Sequence, residues 1–145
     1  LRFFTVYGPW GRPDMALFKF TKNILENKPI EIFNKGDHER DFTYIDDCVE
    51  AVSKIALSKT KRQRFEVFNI ANGKSEKLQE YIKYIELELG LIAKRKYLPL
   101  QSGDIRKTSA NINKIKRMFY YKSKTNISDG VKKFVRWYKD YYKVK

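Results

Sequence analysis

Two arginines and a few carboxylates mark the stretches able to do chemistry. Arg12 follows an apolar run and the breaker Gly8-Pro9-Trp10-Gly11, and it precedes a helix. An Arg there presents a planar fork suited to a carboxylate or a phosphate. The plainer reading is a surface ion pair with Asp14. Asp14, Met15 and Ala16 open the helix, whose free N–H groups and dipole make an anion site. Asp14 is itself a good N-cap and competes for those donors. Arg40 starts an extended, aromatic-rich segment and is the second anion candidate. An ion pair with Glu31 or Glu39 competes with that role. Gln101 and Asp104 lie in the loop Pro99-Leu100-Gln101-Ser102-Gly103-Asp104, where Asp104 suits hydroxyl groups as an acceptor. Asp46 and Asp47 invite an acid/base reading. Helix capping explains both more cheaply, with Asp47 and Glu50 fitting a capping box.

These residues need elements to position them. Leu1 to Tyr7 reads as a buried strand. The helix after Asp14 carries Met15, Leu17, Phe18, Ile24 and Leu25 and ends before Pro29. Ile30 to Phe33 is a short strand, and Asn34-Lys35-Gly36-Asp37 a hairpin-like turn. Asp41 to Ile45 is extended, and a helix with Val49, Val52, Ile55 and Ala56 follows. Phe65 to Ile70 is a strand closed by Asn72-Gly73. A helix over about Glu76 to Leu89 ends at Gly90, a natural left-handed cap. A strand at Ala93 to Leu98 precedes the Gln101 loop. Helices near Asn113 to Met118 and from Ser128 to Tyr142 complete an α/β pattern. It has too few strands for a complete doubly wound sheet.

Composition excludes several classes. Cys48 and His38 each stand alone in 145 residues. No internal disulfide and no four-ligand zinc site follow, so no metal is expected. No apolar run reaches the ~18 residues of a membrane span, and no signal-peptide pattern occurs. A cytoplasmic chain without a membrane partner is the expectation. The net charge of +14 suits an anionic partner. The basic run Lys59, Lys61, Arg62, Arg64 reads as a solvated loop. The ten Tyr and ten Phe recur at core periods, and no RNP1-like pattern is present, so no nucleic-acid partner is expected. Phe134, Trp137, Tyr138 and Tyr141 form an aromatic stripe at helical spacing.

LRFFTVYGPWGRPDMA resembles the start of the C-terminal half of extended short-chain dehydrogenase/reductases, and is most similar to UDP-glucuronate 4-epimerases. Arg40-Asp41-Phe42-Thr43-Tyr44-Ile45-Asp46-Asp47 follows in the right order. So do Phe68-Asn69-Ile70, Leu98-Pro99-Leu100-Gln101-Ser102-Gly103-Asp104 and the segment from Phe134 to Tyr142. The first two are specific and the others supporting. The resemblance implies an α/β fold: the C-terminal substrate-binding part, a small mixed sheet with flanking helices, its Rossmann domain absent. Residues 1–145 would be one nucleotide-sugar-binding domain whose partner is the N-terminal Rossmann half. The family's Gly-rich NAD fingerprint and its Tyr-x-x-x-Lys base, in a matching context, do not occur here. No catalytic residue is therefore expected in this chain, and turnover alone is not.

The resemblance also implies roles. Thr5 and Arg12 would hold the sugar carboxylate. The helix opening at Asp14, Met15 and Ala16, with Arg40, would take the UDP pyrophosphate. Ile32 and Phe33 would pair with uracil through their backbone, although a simple core strand explains them equally. Gln101 would lie by the phosphates, where many nucleotide-sugar epimerases carry Arg, and Asp104 would accept from ribose hydroxyls. The implied reaction interconverts UDP-glucuronate and UDP-galacturonate through a 4-keto sugar with tightly held NAD. Other UDP- or dTDP-sugar epimerases, dehydratases or decarboxylases remain open. So does a basic binding module without turnover.

Overall fold

The computed structural model describes residues 1–59 and 65–144. In chain order, β1 (Arg2–Phe3) and β2 (Val6–Tyr7) precede α1 (Ala16–Leu25). Then come β3 (Ile30–Phe33), β4 (Glu39–Arg40), β5 (Thr43–Tyr44) and α2 (Ile45–Ala56). The second half holds β6 (Asn69–Ile70), β7 (Glu76–Lys77), α3 (Leu78–Leu89), β8 (Arg95–Leu98), α4 (Asn113–Phe119) and α5 (Ile127–Tyr142).

The strands pair across long stretches of chain. β1 runs parallel to β6, β2 to β5 and β3 to β8, while β4 and β7 are antiparallel. Asn34–Gly36 therefore does not close a hairpin. It is a 3-10 turn that hands the chain from one ladder to another. Lys35 adopts φ 53° there, a left-handed geometry that lets the chain change direction.

Apolar faces at helical period explain two cores. α1, α3 and α5 bury Phe18, Ile24, Tyr81, Ile85, Val131 and Phe134 against Tyr7, Ile30, Ile32 and Phe42. Phe42 stacks on Tyr81 with ring centroids 4.3 Å apart. Gly130 lets α5 approach Tyr7, because a Cβ there would stand 2.1 Å from the Tyr7 hydroxyl. The second core gathers Cys48, Ala51, Phe68, Ile70, Ile112, Ile115 and Phe119.

Asp41 ties strands and loops together from a fully buried position. Its carboxylate accepts from the backbone N–H of Asn72 at 2.9 Å, Gly73 at 3.1 Å and Ala110 at 3.0 Å. Burial pushes this carboxyl up, and the three backbone donors pull it back.

Local expectations failed where tertiary partners competed. Leu1 to Tyr7 is not one buried strand: Arg2–Phe3 is exposed and pairs with β6, and a separate ladder with β5 begins at Val6. Of Phe65 to Ile70, only Asn69–Ile70 pairs. The strand expected from Ala93 starts at Arg95, and α3 starts at Leu78 because Glu76 and Lys77 pair with β4. Asp14 does not cap α1: Met15 is the N-cap, with no side-chain bond. Asp46 and Asp47 sit in the first turn of α2, whose N-cap is Tyr44. Asp47 instead accepts from Ser123 Oγ and the Thr125 N–H, each at 3.0 Å. Glu50 pairs with Lys54 and Lys124, both at 2.7 Å, rather than closing a capping box. α5 does carry a side-chain cap, from Asn126 to the Asp129 N–H at 2.8 Å. Gly90 ends α3 in the left-handed conformation expected of it.

Candidate functional site

A cleft of about 640 Å³ lies beside the start of α1 and along β3 and β4. That volume falls within the range of small-molecule sites. Among its walls are Thr5, Asp14, Met15, Ala16, Phe33, Arg40 and Asp104. Seven of the ten expected site residues thus converge from segments about a hundred residues apart.

Arg40 and Asp104 form its polar centre. Arg40 Nη2 donates to Asp104 Oδ1 at 2.8 Å. Nη1 donates to the carbonyls of Glu39 at 3.0 Å and Arg106 at 3.1 Å. Two backbone oxygens and one carboxylate therefore fix the guanidinium. The expected pairing with Glu31 or Glu39 does not form. Glu31 bonds Lys96 at 3.1 Å and Glu39 bonds Lys107 at 2.7 Å. Asp104 is placed by a tight turn in which its N–H donates to the Gln101 carbonyl at 3.1 Å.

The helix terminus is the second polar feature. Arg12 and Asp14 form a two-pronged ion pair, including Nε to Oδ1 at 3.0 Å. The Arg12 hydrogen bond holds the Asp14 carboxyl below its ordinary range. Asp14 is thereby drawn away from the first-turn N–H groups of α1, which no side chain caps. Those donors keep their capacity for an anion. Lys19 lines the same cleft from the next turn of the helix.

The remaining three expected residues stand apart. Arg12, with 76% of its side chain exposed, borders a narrow recess of about 40 Å³ shared with Thr5 and Met15, not the main cleft. The Ile32 side chain is fully buried in the core. Ile30 N–H donates to the Lys94 carbonyl at 2.8 Å, so Ile32 turns its backbone toward β8 and Phe33 turns away from it. Gln101 is exposed and lies outside the cleft lining.

Several cleft residues escaped the sequence reading: Lys19, Asn23, His38 and Lys96. Lys19 and Asn23 share a face at helical spacing, a signal that was available. Lys96 stands opposite Glu31 only through the β3–β8 register, which the sequence does not reveal. Two Tyr-x-x-x-Lys spacings do occur, one at Tyr141 and Lys145, whose Lys lies outside the described residues, and one at Tyr120 and Lys124. Tyr120 is exposed and Lys124 binds Glu50 at 2.7 Å, so this pair is no buried base. Among the described residues no His/Cys/Asp/Glu cluster fits a metal, and no helix is long and apolar enough to cross a membrane. Most of the basic run after Lys59 lies outside the described residues.

Comparisons with known proteins agree with this architecture. A family model described as the NAD dependent epimerase/dehydratase family matches residues 1–71. Protein CapI of Staphylococcus aureus is 45% identical over 158 residues, covering 99% of this chain and 47% of its own. UDP-glucuronate 4-epimerase 2 of Arabidopsis thaliana is 45% identical over 157 residues, covering 99% and 36%. The crystal structure of UDP-glucuronic acid 4-epimerase from Bacillus cereus, in complex with UDP-glucuronic acid and NAD, superposes with a TM-score of 0.91. It is 35% identical and covers 97% of this chain and 45% of that one. The chain spans about half the length or less of the curated relatives it matches. With the shared motifs, cleft and topology, the chain is an extended short-chain dehydrogenase/reductase epimerase-like protein and has the fold of those epimerases.

Proposed function

We propose that this chain is the nucleotide-sugar-binding part of an NAD-dependent 4-epimerase that interconverts UDP-glucuronate and UDP-galacturonate. The observation that carries the reading is the Arg40–Asp104 pair, fixed at 2.8 Å in a cleft beside an uncapped helix terminus. A cation, a hydroxyl acceptor and free N–H donors are the set a nucleoside diphosphate needs. The similarity to proteins named UDP-glucuronate 4-epimerases supports the choice of sugar.

Arg40 and the N–H groups after Met15 bind the diphosphate. Asp104 accepts from the ribose, and Phe33 offers the free strand edge to uracil. Ile32 supports that edge from the core. Thr5 and Arg12 hold the sugar carboxylate, Arg12 by swinging from Asp14, an exposed pair with little to hold it. Gln101 orients Asp104 through its carbonyl, and Ala16 keeps the helix terminus open to the ligand. NAD supplies hydride acceptance in such enzymes. Most of its site would lie outside this chain, in which no Gly-x-Gly-x-x-Gly run occurs. The chain is assigned no step of hydride or proton transfer.

The test pairs the chain with an NAD-binding half from a relative. UDP-galacturonate forms from UDP-glucuronate only when both parts are present. In that pair, Arg12→Ala lowers kcat/KM about ten- to a hundredfold for UDP-glucuronate, as loss of a charged hydrogen bond does, and much less for UDP-glucose. Thr5→Val shows the same selectivity at smaller size. Turnover by the chain alone, or equal loss with both sugars, contradicts the reading.

A further inference from the structure

His38 is the single histidine of the chain. It lies just before β4 in the cleft wall, 5% exposed. Its carbonyl accepts from the Leu78 N–H at 2.9 Å, which fixes the backbone beneath the ring. Nε2 stands 3.1 Å from Asp104 Oδ2. The contact is off the hydrogen-bond line, and the buried nitrogen has no other hydrogen-bond partner. A buried polar atom without a partner is costly. Here a carboxylate acceptor already stands within reach.

Asp104 is then gripped on both oxygens. Arg40 takes Oδ1 at 2.8 Å, and His38 faces Oδ2. A carboxylate offers about four lone-pair sites, so two donors still leave room for hydroxyls. A carboxylate held from two sides presents those sites in one orientation, as a preorganised site requires.

We propose that His38 is a positioning residue: its Nε2–H donates to Asp104 and aims that carboxylate at the ribose hydroxyls of the bound nucleotide. This rests on reading the cleft as a UDP-sugar site. His38 itself touches no ligand atom. Its removal should blur the distinction between ribose and 2′-deoxyribose while leaving the diphosphate contacts in place.

Because the histidine is unique, its ring can be read without ambiguity by long-range ¹⁵N–¹H NMR of the 145-residue chain at pH 8. The expected ring carries a proton on Nε2, and Asp104→Asn shifts the ring resonances. A proton on Nδ1 only, or a ring blind to Asp104→Asn, overturns the proposal whatever the ligand. Titration with UDP and dUDP supplies the functional arm. The chain should prefer UDP about tenfold, the scale of one hydrogen bond to a charged group. His38→Leu should reduce that preference to about twofold, and His38→Gln, which keeps a donor, should restore part of it. Equal loss for both nucleotides in His38→Leu overturns the positioning role. Absence of UDP binding by the unaltered chain defeats the UDP-sugar reading instead, and the tautomer still decides whether His38 holds Asp104.

Discussion

Arg40 and Asp41 are neighbours in the chain and opposites in use. Asp41 turns into the protein, fully buried, and three backbone N–H groups satisfy it. Arg40 turns into the cleft, where its partners are Asp104 and two carbonyls. One charge closes loops; the other lines the cleft. The contrast shows why neighbouring charges must be read separately: Arg40 ends β4 facing the cleft, and Asp41, just past the strand, faces the interior.

The contrast breaks first at Asp41. Asp41→Asn keeps the shape but turns an amide N–H₂ on backbone donors. It should cost about 3 kcal/mol, as expected when a buried charged acceptor is lost. Urea unfolding measures this, and a loss under about 1 kcal/mol would reduce Asp41 to a spectator. Gly130→Ala comes next. Alanine favours a helix by about 1 kcal/mol, but its Cβ would meet the Tyr7 hydroxyl. Overpacking should win, with a net loss of about 1–2 kcal/mol in the same assay. A stabilised variant would show that Tyr7 moves freely.

Arg40→Ala sharpens the other side. The pair is partly exposed, so unfolding free energy should fall by no more than about 1 kcal/mol. Nucleotide binding should suffer far more than stability. Smallest is Cys48, buried within the second core, whose thiol burial pushes up. Raising a thiol's pKa depletes its reactive thiolate at neutral pH. Alkylation should therefore be negligible in buffer and track unfolding as urea rises. Rapid labelling of the native chain would mean that the second core opens easily.

Much of this was legible in sequence, for identifiable reasons. α1, α2, α3 and α5 were visible because apolar residues recur at helical period, and Gly90 stopped α3 as its left-handed geometry requires. Arg40 and Asp104 were visible as charged residues in loop-like settings. Their mutual bond was not, because 64 residues separate them. As caps, Asp14 and Asp47 misled for one reason: capping preference is local, and Asp14 made the Arg12 ion pair that was also read from sequence, while Asp47 took the Ser123 hydroxyl and the Lys124 and Thr125 N–H groups. The strand registers were hidden, since nothing in a two-residue strand specifies its partner. His38 was read only as an excluded zinc ligand. Its value lies in its distance to Asp104, which spacing does not encode.

The central claim is that Arg40 belongs to a nucleotide site and not to a general basic surface. Calorimetric titration of the chain and of Arg40→Ala with UDP, beside a titration with single-stranded RNA over a salt series, tests it most directly. The account predicts saturable UDP binding that Arg40→Ala weakens about ten- to a hundredfold, in proportion to a lost charge-assisted bond. RNA binding should be weak. Tight RNA binding with a steep salt slope, no heat with UDP and no difference between the two chains would contradict it.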